Sequence, residues 1–521
     1  MTGTAPPHPS SAGVIDDLLR TTARIHPGAA AIGPLAAAID FRTLDTRVSR
    51  IAAGLGREGK PGDRVAILGR NSAVQVELLF GCFRAGQVAL PINWRLNPAE
   101  IAYILGHSGA TRLFADRSFA SVLAAIDIDL PILFLDDEGA DGFAVWRDAQ
   151  PLAIACTEPR PEQVALQMYT SGTTGLPKGV MLTHANVMAS IAAFSTGAMA
   201  LGPDDVIYAP APMFHITGIG PVLRSAQSGA RLVVDAAFKP THAVQLMANE
   251  RVSYTTLAPA MIQAALSAPT IADVDLSALR LIVYGGSPIA PDVLAEAQAR
   301  LRCEFVQCYG LTEATGPVTI LAPEDHRAGD ALLLSCGRAA QGIDIMVADA
   351  MGTPLAPGET GEILLRGDVV MAGYAADPAA TLDVLRDGWL RTGDAGYLDS
   401  DGYLFIRDRV KDMIVSGGEN IYPVEVENAL RAHPGVQDVA VIGVPDNQWG
   451  EAVAALVVPA LDSPQAAGGE ALIAFCHTRI AGFKCPKWVR FIDTIPRNAA
   501  GKILRRELRA PFWEGQSRWV G

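Results

Sequence analysis

Short apolar runs of strand length recur along the chain, at Arg64–Leu68, Val164–Met168, Val206–Tyr208, Arg231–Val234, Leu281–Tyr284 and Phe305–Cys308. Stretches with helical spacing separate them. Continuously apolar strands joined by helices predict parallel sheets covered on both faces, an α/β class. After Arg391-Thr-Gly-Asp394 the pattern changes. Tyr403–Asp412 leads into a glycine pair and a helix near Val424–Ala432. Strands at Val439–Val444 and Ala452–Val458 follow, then a helix around Glu470–Ile480, a strand Val489–Ile492 and a basic terminal helix Lys502–Arg509. This predicts a compact α+β unit of about 110 residues, within the normal size of a domain. The boundary is placed at 409–411, between a large unit 1–408 and a small unit 412–521.

At 521 residues, half of them hydrophobic, the chain is too long for one core and has ample apolar surface to bury in two. No apolar stretch approaches the length of a spanning helix, so no integral membrane segment is expected. The run Met1–Pro9 lacks the basic and apolar regions of a signal peptide, and a cytoplasmic location follows as an expectation. The seven cysteines show no C-x-x-C pair and read as reduced thiols packed as small hydrophobes. A net charge of −13 argues against nonspecific binding to nucleic acid. Against that background, basic residues placed in glycine loops stand out.

One such loop is Tyr169-Thr170-Ser171-Gly172-Thr173-Thr174-Gly175-Leu-Pro-Lys178-Gly179-Val180. Glycines let backbone N–H groups converge on phosphate oxygens, the hydroxyls add donors, and Lys178 adds a cation. Val164–Met168 reads as a buried strand before it, and Thr183 as the cap of a helix after it. The spacing is not that of a Walker A loop. A near miss at Gly54–Lys60 carries Pro61 where the hydroxyl should stand and precedes a strand instead of following one, so it is rejected.

Three further segments carry chemistry. Leu281–Tyr284 runs into Gly285-Gly286-Ser287, a turn that brings backbone close to a flat ligand. Phe305–Cys308 ends in Tyr309-Gly310-Leu311-Thr312-Glu313. Tyr309 can stack on a purine, Thr312 can donate to a phosphate, and Glu313 offers a hard oxygen ligand to magnesium. Asp394, just after a glycine, can accept from a ribose diol, and Arg409 adds a donor for the same sugar. Near the end, Gly501-Lys502 sets a lysine on a loop, whereas Arg505, Arg506 and Arg509 read as a solvated basic face.

Taken in order from about Arg64 to Lys502, these motifs resemble the adenylate-forming superfamily of acyl-CoA synthetases, luciferases and peptide-synthetase adenylation domains. The resemblance implies a large N-terminal domain of two α/β sheets and a distorted β-barrel, with a small mobile α+β domain that closes over it. It implies a two-step reaction: a carboxylate attacks the α-phosphate of MgATP, and a thiol then displaces AMP from the acyl-adenylate. ATP, Mg2+ and CoA are the cofactors implied, and a small carboxylic acid the substrate. Lys502 falls where the family has its catalytic lysine, and Lys411 where it has its hinge. Rotation there brings Gly417 and Gly418 to the site in place of Lys502. Trp449, Phe483 and Lys487 fall where CoA users contact the coenzyme; Cys485 departs from members with arginine there.

Met213-Phe214-His215-Ile216-Thr217-Gly218-Ile219-Gly220 resembles the segment lining the acyl pocket, with His215 at the carboxylate. No Asp or Arg in it can read a polar head group, so a fatty or aromatic acid is expected over an amino acid. An acyl-AMP ligase serving a carrier protein and a catalytically silent nucleotide-binding protein stand as alternatives. With nineteen residues after Lys502 no carrier domain is expected there, which disfavours a peptide-synthetase module without excluding a separate carrier protein. Assembly as a homodimer is left open.

Overall fold

The computed structural model describes residues 13–136, 139, 142–152, 158–170, 177–287, 289–409, 412–416, 419–446, 449–460, 468–480, 482–497 and 503–514. The chain divides into two compact units, one of Met1–Asp344 with Leu365–Leu390, the other of Ile345–Leu364 with Arg391–Gly521. The segment 409–411 lies within the second of these.

The first unit contains two seven-stranded sheets. One is ordered Glu304–Cys308, Leu281–Gly285, Tyr254–Leu257, Val206–Ala209, Arg231–Val234, Ala30–Ile32, Ile39–Asp40, and is parallel apart from its last pair. The other is ordered Gly373–Tyr374, Lys178–Thr183, Val164–Thr170, Val88–Pro91, Arg64–Leu68, Ala110–Ala115, Ile132–Phe134. Its first two pairings are antiparallel and the rest parallel. The apolar runs read from the sequence are thus strands of these two sheets, Phe305–Cys308 at one edge and the others interior, and most of their residues are buried as a covered parallel sheet requires. Helix Ala73–Ala85 is nearly all buried; Ser72 caps its start by accepting from Gln75 N, and Gly86 ends it in the left-handed region at φ 66°. The rejected glycine run at Gly54 closes helix Phe41–Glu58, where a Cβ on Gly54 would crowd the Trp146 ring.

Asp344–Ala348, Gly361–Arg366, Trp389–Leu398 and Leu385–Arg386 are neighbours in that order in another sheet, and Leu404–Arg409 pairs with Trp389–Leu398. This half-barrel sheet is the barrel element expected above. A further sheet is ordered Glu419–Ile421, Ile414–Ser416, Gly450–Pro459, Val436–Asp446, with Trp488–Phe491 parallel to Gly450–Pro459. Its strands obey the two-residue period. Val439, Val441, Val453, Ala455 and Val457 pack with helices Pro423–Arg431 and Gly469–His477. Ile442, Val444, Ala452, Ala454 and Leu456 pack against Leu508 and Phe512 of the terminal helix Arg505–Trp513. That helix corrects the expected solvated basic face. Of its three arginines only Arg506 is exposed; Arg505 is buried and donates to Glu427 at 2.7 Å, and Arg509 donates to Asp412 at 3.1 Å. Among the described residues no helix is long and apolar enough to cross a membrane.

Candidate active site

Two parallel strands deliver the first group of residues. Gly285 pairs with Cys308, so Gly286-Ser287 and Tyr309-Gly310 leave the sheet side by side at the carboxyl ends of neighbouring strands, where α/β sheets bind ligands. Gly286 is exposed and holds φ 81°. A Cβ on Gly285 would overlap the Cys308 carbonyl, and one on Gly310 the Gly316 carbonyl. Both glycines are therefore imposed by backbone contact. Gly310-Leu311 pairs antiparallel with Gly316-Pro317, and the intervening Thr312–Ala314 forms one 3-10 turn closed by Thr315 in the left-handed region at φ 58°. Thr312 and Glu313 project from that turn, both half-buried.

The glycine loop differs from expectation in its setting. Thr170 pairs with Lys178, so the loop closes an antiparallel hairpin instead of joining a strand to a helix. The helix comes one strand later, at His184–Ala193, where Thr183 and Asn186 form a reciprocal capping box. Ser171, Gly172, Thr173 and Thr174 lie outside the described residues, as do Lys411, Gly417, Gly418 and Lys502. Lys178 stands at the mouth of the hairpin with its Nζ 4.9 Å from the centre of the Tyr374 ring. The Tyr374 hydroxyl donates to Glu313 Oε1 at 3.0 Å. Burial, reinforced by the Glu313 charge, pushes the phenol pKa well up, so it stays a donor. Tyr374 escaped the sequence reading because Gly373-Tyr374 reaches this site only by pairing with Met181 and Val180.

His215 follows the strand Val206–Ala209 and immediately precedes helix Ile216–Ser228. Among the described residues its buried Nε2 has no hydrogen-bond partner. Burial first, then the positive charge of Arg95, lowers its pKa from 6.5 to about 4, so the imidazole is neutral at pH 7. An orphaned buried nitrogen in a neutral ring is available to a ligand. Ile216 lies beside the Thr312–Glu313 hairpin, its Cγ1 3.3 Å from where a Cβ on Gly316 would stand. Thr217 is exposed. The two glycines of the segment differ. A Cβ on Gly218 would overlap the backbone carbonyls of Pro212 and Ala211, whereas one on Gly220 would meet nothing within 4 Å.

Asn71 is a second residue that sequence reasoning missed. It is buried, its Nδ2 donates to Ala211 O at 2.7 Å, and Met213 N donates to its Oδ1 at 2.9 Å. It follows the strand Arg64–Leu68 of the other sheet, and so ties the loop carrying His215 across the two sheets. Its one sequence signal is a polar residue between a strand end and the Ser72 cap.

Within the second unit, Asp394 and Arg409 are direct partners across the ladder. Asp394 is buried; Gly393 before it holds φ 69°, and its N donates to Glu362 Oε1 at 3.1 Å. Trp449 and Phe483 are each more than two-fifths exposed, and Lys487 Nζ lies 5.9 Å from the Trp449 ring centre. Lys484 pairs with Glu425 at 2.7 Å. Cys485 is buried, its thiol against Ile480 O at 3.9 Å, so this position packs the core.

The model of the AMP-binding enzyme family matches residues 19–375, and that of the AMP-binding enzyme C-terminal domain matches residues 425–502. The chain belongs to this family, and so to the adenylate-forming superfamily. It is 40% identical to a fatty acid–[acyl-carrier-protein] ligase of Streptomyces coeruleorubidus over 92% of this chain and 93% of that one. It is 41% identical to a feruloyl-CoA synthase of an Amycolatopsis species over 94% and 97%. Among solved structures, ATP-bound MatB of Rhodopseudomonas palustris superposes with a TM-score of 0.87 at 29% identity, covering 95% and 99% of the two chains.

Proposed function

We propose that this protein is an AMP-forming acyl-CoA synthetase acting on a fatty or aromatic carboxylic acid. The observation that carries the reading is the meeting of Lys178, Glu313 and the hairpin beside Ile216, one residue from the orphaned His215, at the carboxyl edge of a parallel sheet. In the first half-reaction a carboxylate oxygen of the acid bonds to the α-phosphorus of ATP and the bond to pyrophosphate breaks. In the second, the sulfur of CoA bonds to the acyl carbon and AMP leaves.

The residues fit these steps. Negative charge builds on the oxygens around the α-phosphorus, and fixed donors and cations in a water-poor crevice stabilise it. The hydroxyls of Ser171, Thr173 and Thr174, with Lys178, hold the leaving pyrophosphate, and Thr312 donates to the α-phosphate. Glu313 would hold Mg2+, one carboxylate beside phosphate oxygens being a usual setting for that ion. Tyr309 and the Gly285-Gly286-Ser287 turn take the adenine, and Asp394 and Arg409 the ribose. Neutral His215 offers Nε2 to the carboxylate of the acid, and Gly220 opens the acyl pocket. Lys502 serves adenylate formation. Rotation at Lys411 then brings Gly417 and Gly418 in for thioester formation, with Trp449, Phe483 and Lys487 on CoA.

The second reading is an acyl-AMP ligase that loads a carrier protein, supported by the likeness to the Streptomyces ligase. Pyrophosphate exchange is measured with saturated fatty acids and cinnamate-type acids, followed by AMP release with CoA or with a phosphopantetheinylated carrier protein. Acid-dependent exchange with CoA-dependent AMP release is expected. Exchange that turns over only with the carrier protein would replace the first reading by the second. No exchange with any acid would refute both and leave a silent nucleotide-binding protein.

A further inference from the structure

We propose that Tyr374 is a positioning residue for the divalent cation: its hydroxyl occupies one oxygen of Glu313, so that the carboxylate binds the ion through the other alone. The inference rests on the reading of Glu313 as the cation ligand.

Three chain segments converge to make this arrangement. Tyr374 pairs with Val180, and Lys178, two residues before Val180, is its diagonal neighbour across the ladder. The lysine therefore reaches the ring, at 4.9 Å, without leaving its strand. Ala375 N donates to Gly179 O at 2.7 Å and Ala372 N to Met181 O at 3.0 Å, locking the register. The turn bearing Glu313 is stitched to the same segment. Met371 N donates to Glu313 O at 2.9 Å, Thr315 Oγ1 donates to Val369 O at 2.5 Å, and Ser190 Oγ donates to Thr315 O at 3.2 Å. Tyr374 is thus held by its ladder to Val180 and Met181 and by the Met371 N–H bond to the Glu313 carbonyl, and presents one donor to Oε1 of Glu313. Among the described residues, Oε2 accepts from none.

The consequence follows from cation size. Mg2+ demands near-ideal octahedral geometry and takes carboxylates through single oxygens, whereas Ca2+ accepts bidentate carboxylates and higher coordination. A carboxylate with one oxygen already engaged suits the smaller ion. Freed of the hydroxyl, Glu313 can close both oxygens on the larger one. The same ring lies 4.9 Å from the Lys178 ammonium, a contact that Tyr374→Phe leaves intact.

The test is calorimetric binding of MgATP and of CaATP without any acid, so that nothing turns over, to wild type, Tyr374→Phe, Glu313→Gln and the double variant. Tyr374→Phe keeps the ring and the strand pairing, and its thermal midpoint serves as the folding control. In the wild type MgATP binds at least as tightly as CaATP. In Tyr374→Phe the Mg-to-Ca affinity ratio falls about tenfold, the factor that 1.4 kcal/mol represents. With Glu313→Gln already present, adding Tyr374→Phe leaves the ratio unchanged, because the hydroxyl acts through that carboxylate. An unchanged ratio in Tyr374→Phe, or an equal fall in the Glu313→Gln background, overturns the inference. If Glu313→Gln does not itself weaken MgATP, the cation role of Glu313 fails instead.

Discussion

Asn71 touches none of the reacting groups in the proposed site, yet its replacement should cost catalysis on the acid specifically. Its two amide atoms take the Ala211 carbonyl at 2.7 Å and the Met213 N–H at 2.9 Å, in a buried setting. Asn71→Leu leaves both backbone groups without partners, at about 1–3 kcal/mol each, so a loss of stability of about 2–6 kcal/mol is expected. Asn71→Asp is more informative. One carboxyl oxygen can still accept from Met213 N, while the other faces the Ala211 carbonyl and repels it. The loop then shifts and carries His215 with it, and a displacement of about 1 Å at a reacting centre can cost on the order of 100-fold. We expect kcat/KM for the acid to fall about 10- to 100-fold in Asn71→Asp, with KM for ATP within about twofold of wild type. Burial and the facing carbonyl raise the pKa of the introduced carboxyl. Below that pKa it regains a proton to donate to Ala211 O, so the ratio of variant to wild-type activity should climb as pH falls. Acid-dependent pyrophosphate exchange from pH 5 to 8 measures this. A ratio that stays flat with pH, or equal losses toward ATP and acid, would refute the clamp.

Substitution at Gly220 should narrow the acyl pocket, since the space beside it is open; Gly220→Val should cost the longest acids about 1–3 kcal/mol in kcat/KM and spare short ones. Gly218→Ala should lower activity toward every acid alike, because its Cβ meets backbone; a length-selective loss there would contradict the geometry. His184 accepts from Ile15 N at 3.2 Å, and burial lowers its pKa to about 4. The unfolded chain, near 6.5, binds more protons between those values, so this contribution is complete above about pH 6.5 and is lost as pH falls toward 4. His184→Asn, which keeps an acceptor and does not titrate, should lose about 2 kcal/mol less than wild type between pH 7 and 5 in urea unfolding; parallel curves would refute this. Lys502→Ala should slow adenylate formation about 100- to 1,000-fold while sparing thioester formation from supplied acyl-adenylate, and equal loss in both half-reactions would count against a role in the first alone.

Local pattern alone decided the strands, because runs such as Val65–Leu68 and Leu281–Tyr284 are apolar throughout and have no stable place outside a covered sheet. It also determined the chemistry-bearing segments: glycines at 285 and 310 are demanded by carbonyls that no side chain can displace, and hydroxyls, lysine and carboxylate keep fixed offsets from them. Tertiary structure decided which of these act together. Tyr374 enters only through a two-residue strand paired with Val180 and Met181, far along the chain, and Asn71 only because the two sheets meet beside Met213. Arg505 looks solvated in sequence and is buried because Glu427 waits across the sheet. Local periodicity reports which face of an element is apolar. It carries no information on which distant hydrogen-bonding group that face will meet, since such pairings are set when sheets and helices pack.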